Sequence, residues 1–294
     1  MKNKIKHLLV ALALPALSTL DSPFSTAFAQ GSLTPPGAPA PTMMTLTQIE
    51  PRTPISSLPY TITQPGSYYV TTNLTGATAG IIIAANDVTL DLMGFTLFGM
   101  AGSSEGILVP NTQTNLVIRN GVLASWGSEG VSVDTSGYNC QFERLRVSNC
   151  GNTGFGGGIN IDGNYCTVKD CTANCNVGGG IVVGQNCTVK DCMANNDGDV
   201  GIEAGNNNLI AGNTCNGSDY GIQIDGYKNR IDGNNVGYNT DYGIYPLGFD
   251  FGNIIIRNSA PGNGVAGYAN YSGNNDYGPT NLPPSTATSP GANF

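Results

Sequence analysis

The hexapeptide CTVKDC occupies Cys166–Cys171 and recurs at Cys187–Cys192, twenty-one residues later. Paired cysteines from two short loops are one way to build a structural zinc site, but informative zinc spacings set two cysteines on a tight turn, and here a Thr-Val strand pattern fills the gap. The repeat extends well beyond the cysteines. A glycine followed by a β-branched residue recurs at Gly80, Gly106, Gly130, Gly158, Gly180, Gly201, Gly221, Gly243 and Gly264, with successive differences of 26, 24, 28, 22, 21, 20, 22 and 21 residues. Self-similarity at this period marks a stacked repeat architecture.

Each unit opens with a short strand pattern, visible as GINID, GIVVG, GIEAG and GIQID. Alternation along a strand sends Ile159/Ile161, Ile181/Val183, Ile202/Ala204 and Ile222/Ile224 inward and the intervening residue outward. A second strand follows in each unit, centred on Val168, Val189, Ile210, Ile231 and Ile255. A weaker third carries Ala173, Ala194, Cys215, Val236 and Ala260. Three strands in about 22 residues leave no room for a crossover helix, so the units cannot form an open βαβ sheet, and they predict a coil stacked at roughly 4.8 Å per turn.

That stacking explains the hexapeptide. Cys166, Cys187, Asn208, Asn229 and Asn253 fall in one column, and Cys171, Cys192, Asn213, Asn234 and Asn258 in another at the bend between the second and third strands. Asparagine there tolerates left-handed backbone angles and bonds along the ladder, while cysteine substitutes as a small buried residue. Thiol ladders and disulfides between neighbouring coils are both open, since Cα atoms one coil apart lie within disulfide reach.

The GI…N…N pattern from Gly80 to about Asn263 resembles the right-handed parallel β-helix repeat proteins, the pectin-lyase-like group. The expected fold is therefore all-β: a right-handed, single-stranded parallel β-helix of about eight coils of 20–28 residues over 80–263. The resemblance implies a short asparagine-bearing turn between the second and third strands. It also implies that the outer face of the opening GIxI strands forms a substrate groove. Residues 45–79, with YTITQPGSYYVTTNL, predict two strands around a Pro-Gly turn that cap the open sheet edge, and 264–294 predict a partial last coil with an irregular tail.

The amino end reads as an export signal over 1–29. Lys2, Lys4 and Lys6 precede an apolar run from Leu8 to Leu17, too short to span a membrane, and Ala27-Phe28-Ala29 supplies a cleavage site. A Pro-rich linker follows over 30–44. Removing Lys2, Lys4, Lys6 and Asp21 takes the twelve basic residues to nine and the twenty acidic residues to nineteen, a net charge of −10. That sign argues against nucleic acid or anionic lipid as partner. His7, the one histidine, leaves with the signal, which excludes Ser-His-Asp, Cys-His and histidine-metal chemistry. Catalysis would then rest on carboxylates, Arg, Lys or Tyr.

On the expected groove, Asp199, Asp219 and Asp241 stand two residues before the glycine in consecutive coils. Glu203, Gln223 and Tyr245 project from the adjoining strands, with Asp162 and Asp225 at their far ends. Stacked carboxylates repel, so one should titrate high or a calcium ion should sit between them. Asp199, Glu203, Asp219 and Asp225 are the candidate catalytic acids for glycoside hydrolysis, or for a calcium-assisted lyase with Lys228 or Arg230 as base. Aspartate ahead of a glycine turn also bonds local backbone N–H groups with no catalytic role. Asn239-Thr240-Asp241 is similar to the first motif of polygalacturonase-like hydrolases, but their Asp-Asp, Gly-His-Gly and Arg-Ile-Lys motifs are missing. Trp126, beside Glu129, Asp134 and Tyr138, is a second candidate: either an exposed sugar-stacking ring or a packing residue. Lys169-Asp170 and Lys190-Asp191 read as solvated outer charges.

Two functions follow. One is an exported β-helix that interacts with polysaccharide or cell-surface glycan, with hydrolase or lyase chemistry if active. The alternative is a non-catalytic envelope or surface scaffold or adhesin.

Overall fold

In the computed structural model, which describes residues 50–152, 156–247, 251–269, 275–278 and 293, the backbone winds as a parallel β-solenoid. The export segment, the Pro-rich linker and most of the tail lie outside the described residues. Val168 pairs with Val189, and Val189 with Ile210, in unbroken parallel register. Letters one period apart are therefore vertical neighbours.

Each coil contributes its opening strand to a 10-stranded sheet and its second and third strands to a bent 16-stranded sheet, among the described residues. In the coil built from Ile181–Gln185, Thr188–Lys190 and Met193–Asn195, the three strands are distinct. In two earlier coils the second and third strands run on as Val117–Ala124 and Gln141–Ser148. The inward columns are apolar throughout: Ile159, Ile181, Ile202, Ile222 and Ile244 are all buried. Burial of such a side chain contributes about 1.5–3 kcal/mol, so the columns dominate stability.

Residues 53–76 are not a separate cap. Tyr60–Ile62 pairs in parallel with Ile81–Ile83 in one sheet, whereas Gly66–Val70 pairs with Val88–Asp91 in the other. The Pro-Gly turn thus carries the chain from sheet to sheet, and the segment forms a full coil. At the other end the register also moves. Ile244 faces Tyr268, so Gly267 rather than Gly264 opens the last coil.

Both expected ladders are present. In the second, the side-chain Oδ1 atoms of Asn213, Asn234, Asn258 and Asn293 accept the backbone N–H groups of Cys192, Asn213, Asn234 and Asn258 at 2.8–2.9 Å. Their Nδ2 atoms donate to Val189, Ile210, Ile231 and Ile255 carbonyls at 2.8–3.0 Å. The left-handed residue of the bend is the preceding one, at Asp170, Asp191, Gly212 and Gly233, so the ladder residue itself points inward. All eight cysteines are free thiols. Cys166, Cys171, Cys187 and Cys192 donate to the carbonyl two residues earlier, at 3.2–3.3 Å. In the Cys166 column, the Cys187 sulfur takes the place of Oδ1 as acceptor for the Cys166 N–H.

A third ladder runs through Asn176, Asp197, Ser218, Asn239 and Asn263. Asn239 is buried within it, so the Asn-Thr-Asp triplet is a product of the repeat rather than a fragment of a hydrolase motif. Asp197 is the misfit. Its Oδ1 accepts the Asn176 backbone and side-chain N–H groups, both at 2.9 Å. Its buried Oδ2 has no partner and lies over Gly180, as Asn239 Nδ2 lies over Gly221. Burial raises the carboxyl to about 7.

Replacing Asn234 by alanine strands the buried Asn213 N–H and the Ile210 carbonyl, and should cost about 2–3 kcal/mol, lowering Tm by roughly 5–10 °C. Asp197 supports the fold only as the neutral acid. Its contribution is complete below about pH 4 and is lost as pH rises through about 7. Asp197→Asn should therefore raise Tm at pH 8 by about 5 °C or more and change it little at pH 4, measured by thermal unfolding at both values.

Candidate functional site

The outer face of the 10-stranded sheet follows from the register. One outward column reads Ser132, Asn160, Val182, Glu203, Gln223 and Tyr245. The column at the strand entry reads Val200, Tyr220 and Tyr242. Asp199, Asp219 and Asp241 stack beside it, their backbones joined by bonds of 2.9 Å from Asp219 N to Asp199 O and from Asp241 N to Asp219 O. Gly178, Gly179 and Gly198 present bare backbone in the middle coils. The result is a trough of about 550 Å³ lined by Asn160, Asp162, Val182, Asp199, Glu203 and Asp219, with further residues of the Val177–Gly179 turn.

The structure thus brings together most of the acids expected from the sequence. Glu203 is half-buried, and its carboxyl titrates above the usual range because of burial and then the charges of Asp225, Asp199 and Asp162. Asp162 is raised by burial, then by Asp134 and Glu129. Asp134 itself is held low by the Thr135 hydroxyl and the Asn111 N–H, which marks it as a turn residue. Glu129 accepts from the Ser128 hydroxyl at the amino end of the same face.

Past the acids stands an aromatic ledge. Tyr220 and Tyr242 stack with centroids 6.4 Å apart and planes 4° apart, and Tyr245 leans on both at 4.7 and 5.2 Å. Tyr220 and Tyr242 escaped the sequence reading because they precede the repeat glycine, where earlier coils carry Ala79, Glu105, Glu129, Gly157, Gly179 and Val200 with no common chemistry. Burial and the neighbouring Asp241 raise the Tyr220 phenol. Gln223 lies between Glu203 and Tyr245 in register.

Of the two readings of Trp126 the packing one holds, and the roles expected of Tyr138, Lys228 and Arg230 are corrected. Trp126 is 0% exposed and donates its indole N–H to the Leu97 carbonyl at 3.0 Å. Gly76, Gly99 and Gly106 lie against its ring where a Cβ would collide. It is a core residue, and Tyr138 lies on the opposite side of the strand Val131–Val133 from the trough, at the turn into the other sheet. Lys228 and Arg230 do not reach the groove: Lys228 sits over the Tyr227 ring, and Arg230 pairs with Asp232 at 2.7 Å on the 16-stranded sheet. Indeed no lysine or arginine stands on the 10-stranded sheet. Arg119 pairs with Asp91, Lys169 with Asp170 and Lys190 with Asp191, all on the other sheet. Among the described residues no three His, Cys, Asp or Glu side chains gather to hold a metal ion.

A family model described as NosD, periplasmic copper-binding protein, matches residues 80–288. The chain belongs to the NosD family. No curated protein matches the sequence significantly. Among solved structures, this NosD-family chain is similar to an alginate lyase from Paenibacillus sp. str. FPU-7, with a TM-score of 0.53 and 14% identity over 75% of this chain and 87% of that one. It is also similar to ORF18 of Geobacillus virus E2, with a TM-score of 0.50 and 15% identity over 72% of this chain and 52% of that one. Pectate lyase Pel9A matches at a TM-score of 0.48 and 15% identity, over 72% of this chain and 68% of that one. At these identities the likeness establishes the parallel β-helix shared with the pectin-lyase-like fold.

Because Trp126 fills the core, Trp126→Ala should cost about 3–5 kcal/mol and lower Tm by roughly 10 °C or more. Calorimetric unfolding of the variant beside the wild type checks this.

Proposed function

We propose that this protein is an exported β-helix that holds a polysaccharide chain along the outer face of its 10-stranded sheet. The observation that carries the reading is the trough floored by glycine backbone and flanked by Glu203, Asp199 and Asp219, with the Tyr220/Tyr242/Tyr245 ledge at its end. Aromatic rings beside hydrogen-bonding carboxylates suit a sugar ring, whose axial C–H face stacks while its hydroxyls donate. A chain laid along the solenoid meets an equivalent side-chain position every roughly 4.8 Å, close to the length of one pyranose.

The charge of the face sets the class of sugar. Carboxylates at Asp162, Asp199, Glu203, Asp219 and Asp225 with no basic side chain repel a polyuronate unless a cation such as calcium bridges the two, and they favour a neutral or amino-sugar chain. For catalysis, Glu203 is the proton donor, because its neutral form is favoured by burial and by the acids around it, and Asp199 or Asp219 is the second carboxyl of the pair.

Copper does not fit the donor set. His7 lies in the export segment, and every described cysteine except Cys175 is buried. Burial pushes the Cys150 thiol up to about 11 and the Cys215 thiol higher still, which disfavours their thiolates, and although hydrogen bonding from Cys192 and Cys166 lowers Cys171 and Cys187, both are buried in the core.

The mature chain, titrated calorimetrically with hexasaccharides of glucosamine, glucose and galacturonate, should prefer glucosamine and bind galacturonate only with millimolar calcium. Tyr245→Ala should weaken glucosamine binding at least tenfold, and Glu203→Gln should abolish any reducing-end release while retaining binding. Calcium-free binding of galacturonate in preference to the others would sink the charge argument, and absence of binding by all three would leave the scaffold reading.

A further inference from the structure

The turn between the opening and second strands repeats a left-handed residue from coil to coil. It reads Asp87, Asn115, Asn139, Tyr165, Asn186, Asn207, Lys228 and Gly252, with φ between 54° and 71°. Asparagine and aspartate enter that region readily, whereas a bulky side chain there is strained by on the order of 1 kcal/mol. Tyr165 is thus a costly substitution in a column built for asparagine. Its ring is not buried in return: Tyr165 is 51% exposed and Tyr138, its stacking partner at 4.9 Å, is 48% exposed.

The two rings stand beside a recess of about 410 Å³ lined by Asp87, Asn115, Asn139, Gln141, Tyr165 and Thr167, among others. The floor positions Val117, Gln141 and Thr167 are register neighbours on the 16-stranded sheet, so the recess is separate from the trough. Its amides are already oriented. Asn139 Nδ2 donates to Asn115 Oδ1 at 2.8 Å, and Asn115 Nδ2 donates to Asp87 Oδ1 at 2.9 Å. The Gln141 amide donates to Glu143 at 2.8 Å. One N–H of each amide is thereby engaged within the protein, and acceptor oxygens at Asn139, Gln141 and Asp87 stand on exposed residues beside the remaining N–H groups. No lysine or arginine lines the recess.

We infer that this recess is a second glycan-binding subsite, taking a neutral hydroxyl-rich sugar that stacks on the Tyr165/Tyr138 pair and donates its hydroxyls to the amide column. An exposed ring on strained backbone needs a reason outside the fold, and acceptors without cationic neighbours select hydroxyl donors over carboxylates or phosphates. Tyr238 shows the contrast. It shares the left-handed backbone and is exposed, but it lies over Gly262 and has no ring partner among the described residues.

Tyr165→Asn is the discriminating variant because it restores the residue the turn prefers. Hexasaccharides of glucose, mannose and galactose, with hexagalacturonate as the anionic comparison, would be titrated into the mature chain and its variants. At least one neutral probe should bind the wild type and lose tenfold or more in affinity with Tyr165→Asn and with Tyr138→Ala, while Tm of Tyr165→Asn stays level or rises. Tyr245→Ala, which tests the trough, should leave this binding unchanged, so failure of one site is distinguishable from failure of the other. Unaltered affinity in Tyr165→Asn, no binding by any neutral probe, or a fall in its Tm that marks the ring as structural would overturn the inference.

Discussion

Vertical identity is the constraint on which this molecule depends. Because parallel strands pair in register from coil to coil, each position in the repeat is a column, and a column tolerates only residues that can stack on their own kind at roughly 4.8 Å. Aliphatic columns satisfy that requirement by dispersion and burial. The asparagine columns satisfy it through two bonds per step, one accepting the backbone N–H of the preceding coil and one donating to a carbonyl of that coil, as between Asn213 and Asn234 and between Asn234 and Asn258. The turns enclose backbone groups that no strand can pair, and the ladders are what satisfies them.

The same constraint governed what could be read from letters alone. A column repeats its chemistry, so Ile159 through Ile244 and the two Cys/Asn ladders were visible as periodicity. Features that break a column were not. Trp126 left two readings open because it occurs once in a loop, and only the absence of Cβ atoms at Gly76 and Gly99 in two other coils and at Gly106 in its own makes room for its ring. The Asn176–Asn263 ladder was hidden by Asp197 and Ser218, which interrupt the spelling but keep the hydrogen bonds. The N-terminal coil was hidden because its Pro-Gly turn imitates a hairpin, although the two strands it joins enter different sheets. Lys228 and Arg230 stood close in sequence to the groove acids, but the turn between sheets directs them to the other face.

Charge follows the sheets. The 16-stranded sheet keeps its basic residues paired locally, with Asp232 shared by Arg230 and Arg257 and Asp91 engaged by Arg119. The 10-stranded sheet carries carboxylates without counterions, and their mutual repulsion raises Glu203 and Asp162 after burial has already done so. Unneutralised acids are a cost that the fold does not require, since Val182 and Gln223 fill equivalent positions in neighbouring coils without charge. Their concentration where glycine has hollowed the surface ties the charge to the trough rather than to the repeat.

Strain supplies an independent line of the same kind. A solenoid offers every turn the same backbone angles, so the cost of a residue at a left-handed position can be judged against its own column rather than against proteins in general. Asn139 below and Asn186 above show what suffices at position 165. Departures from a column that improve packing are structural, as Trp126 is. A departure that worsens the backbone and leaves the side chain half in solvent, packed only on another exposed ring, does the coil little packing service. For Tyr165 the remaining beneficiary is whatever occupies the recess beside it, and the oriented amide chain from Asn139 to Asp87, with acceptor oxygens and no cation, favours molecules rich in hydroxyl donors.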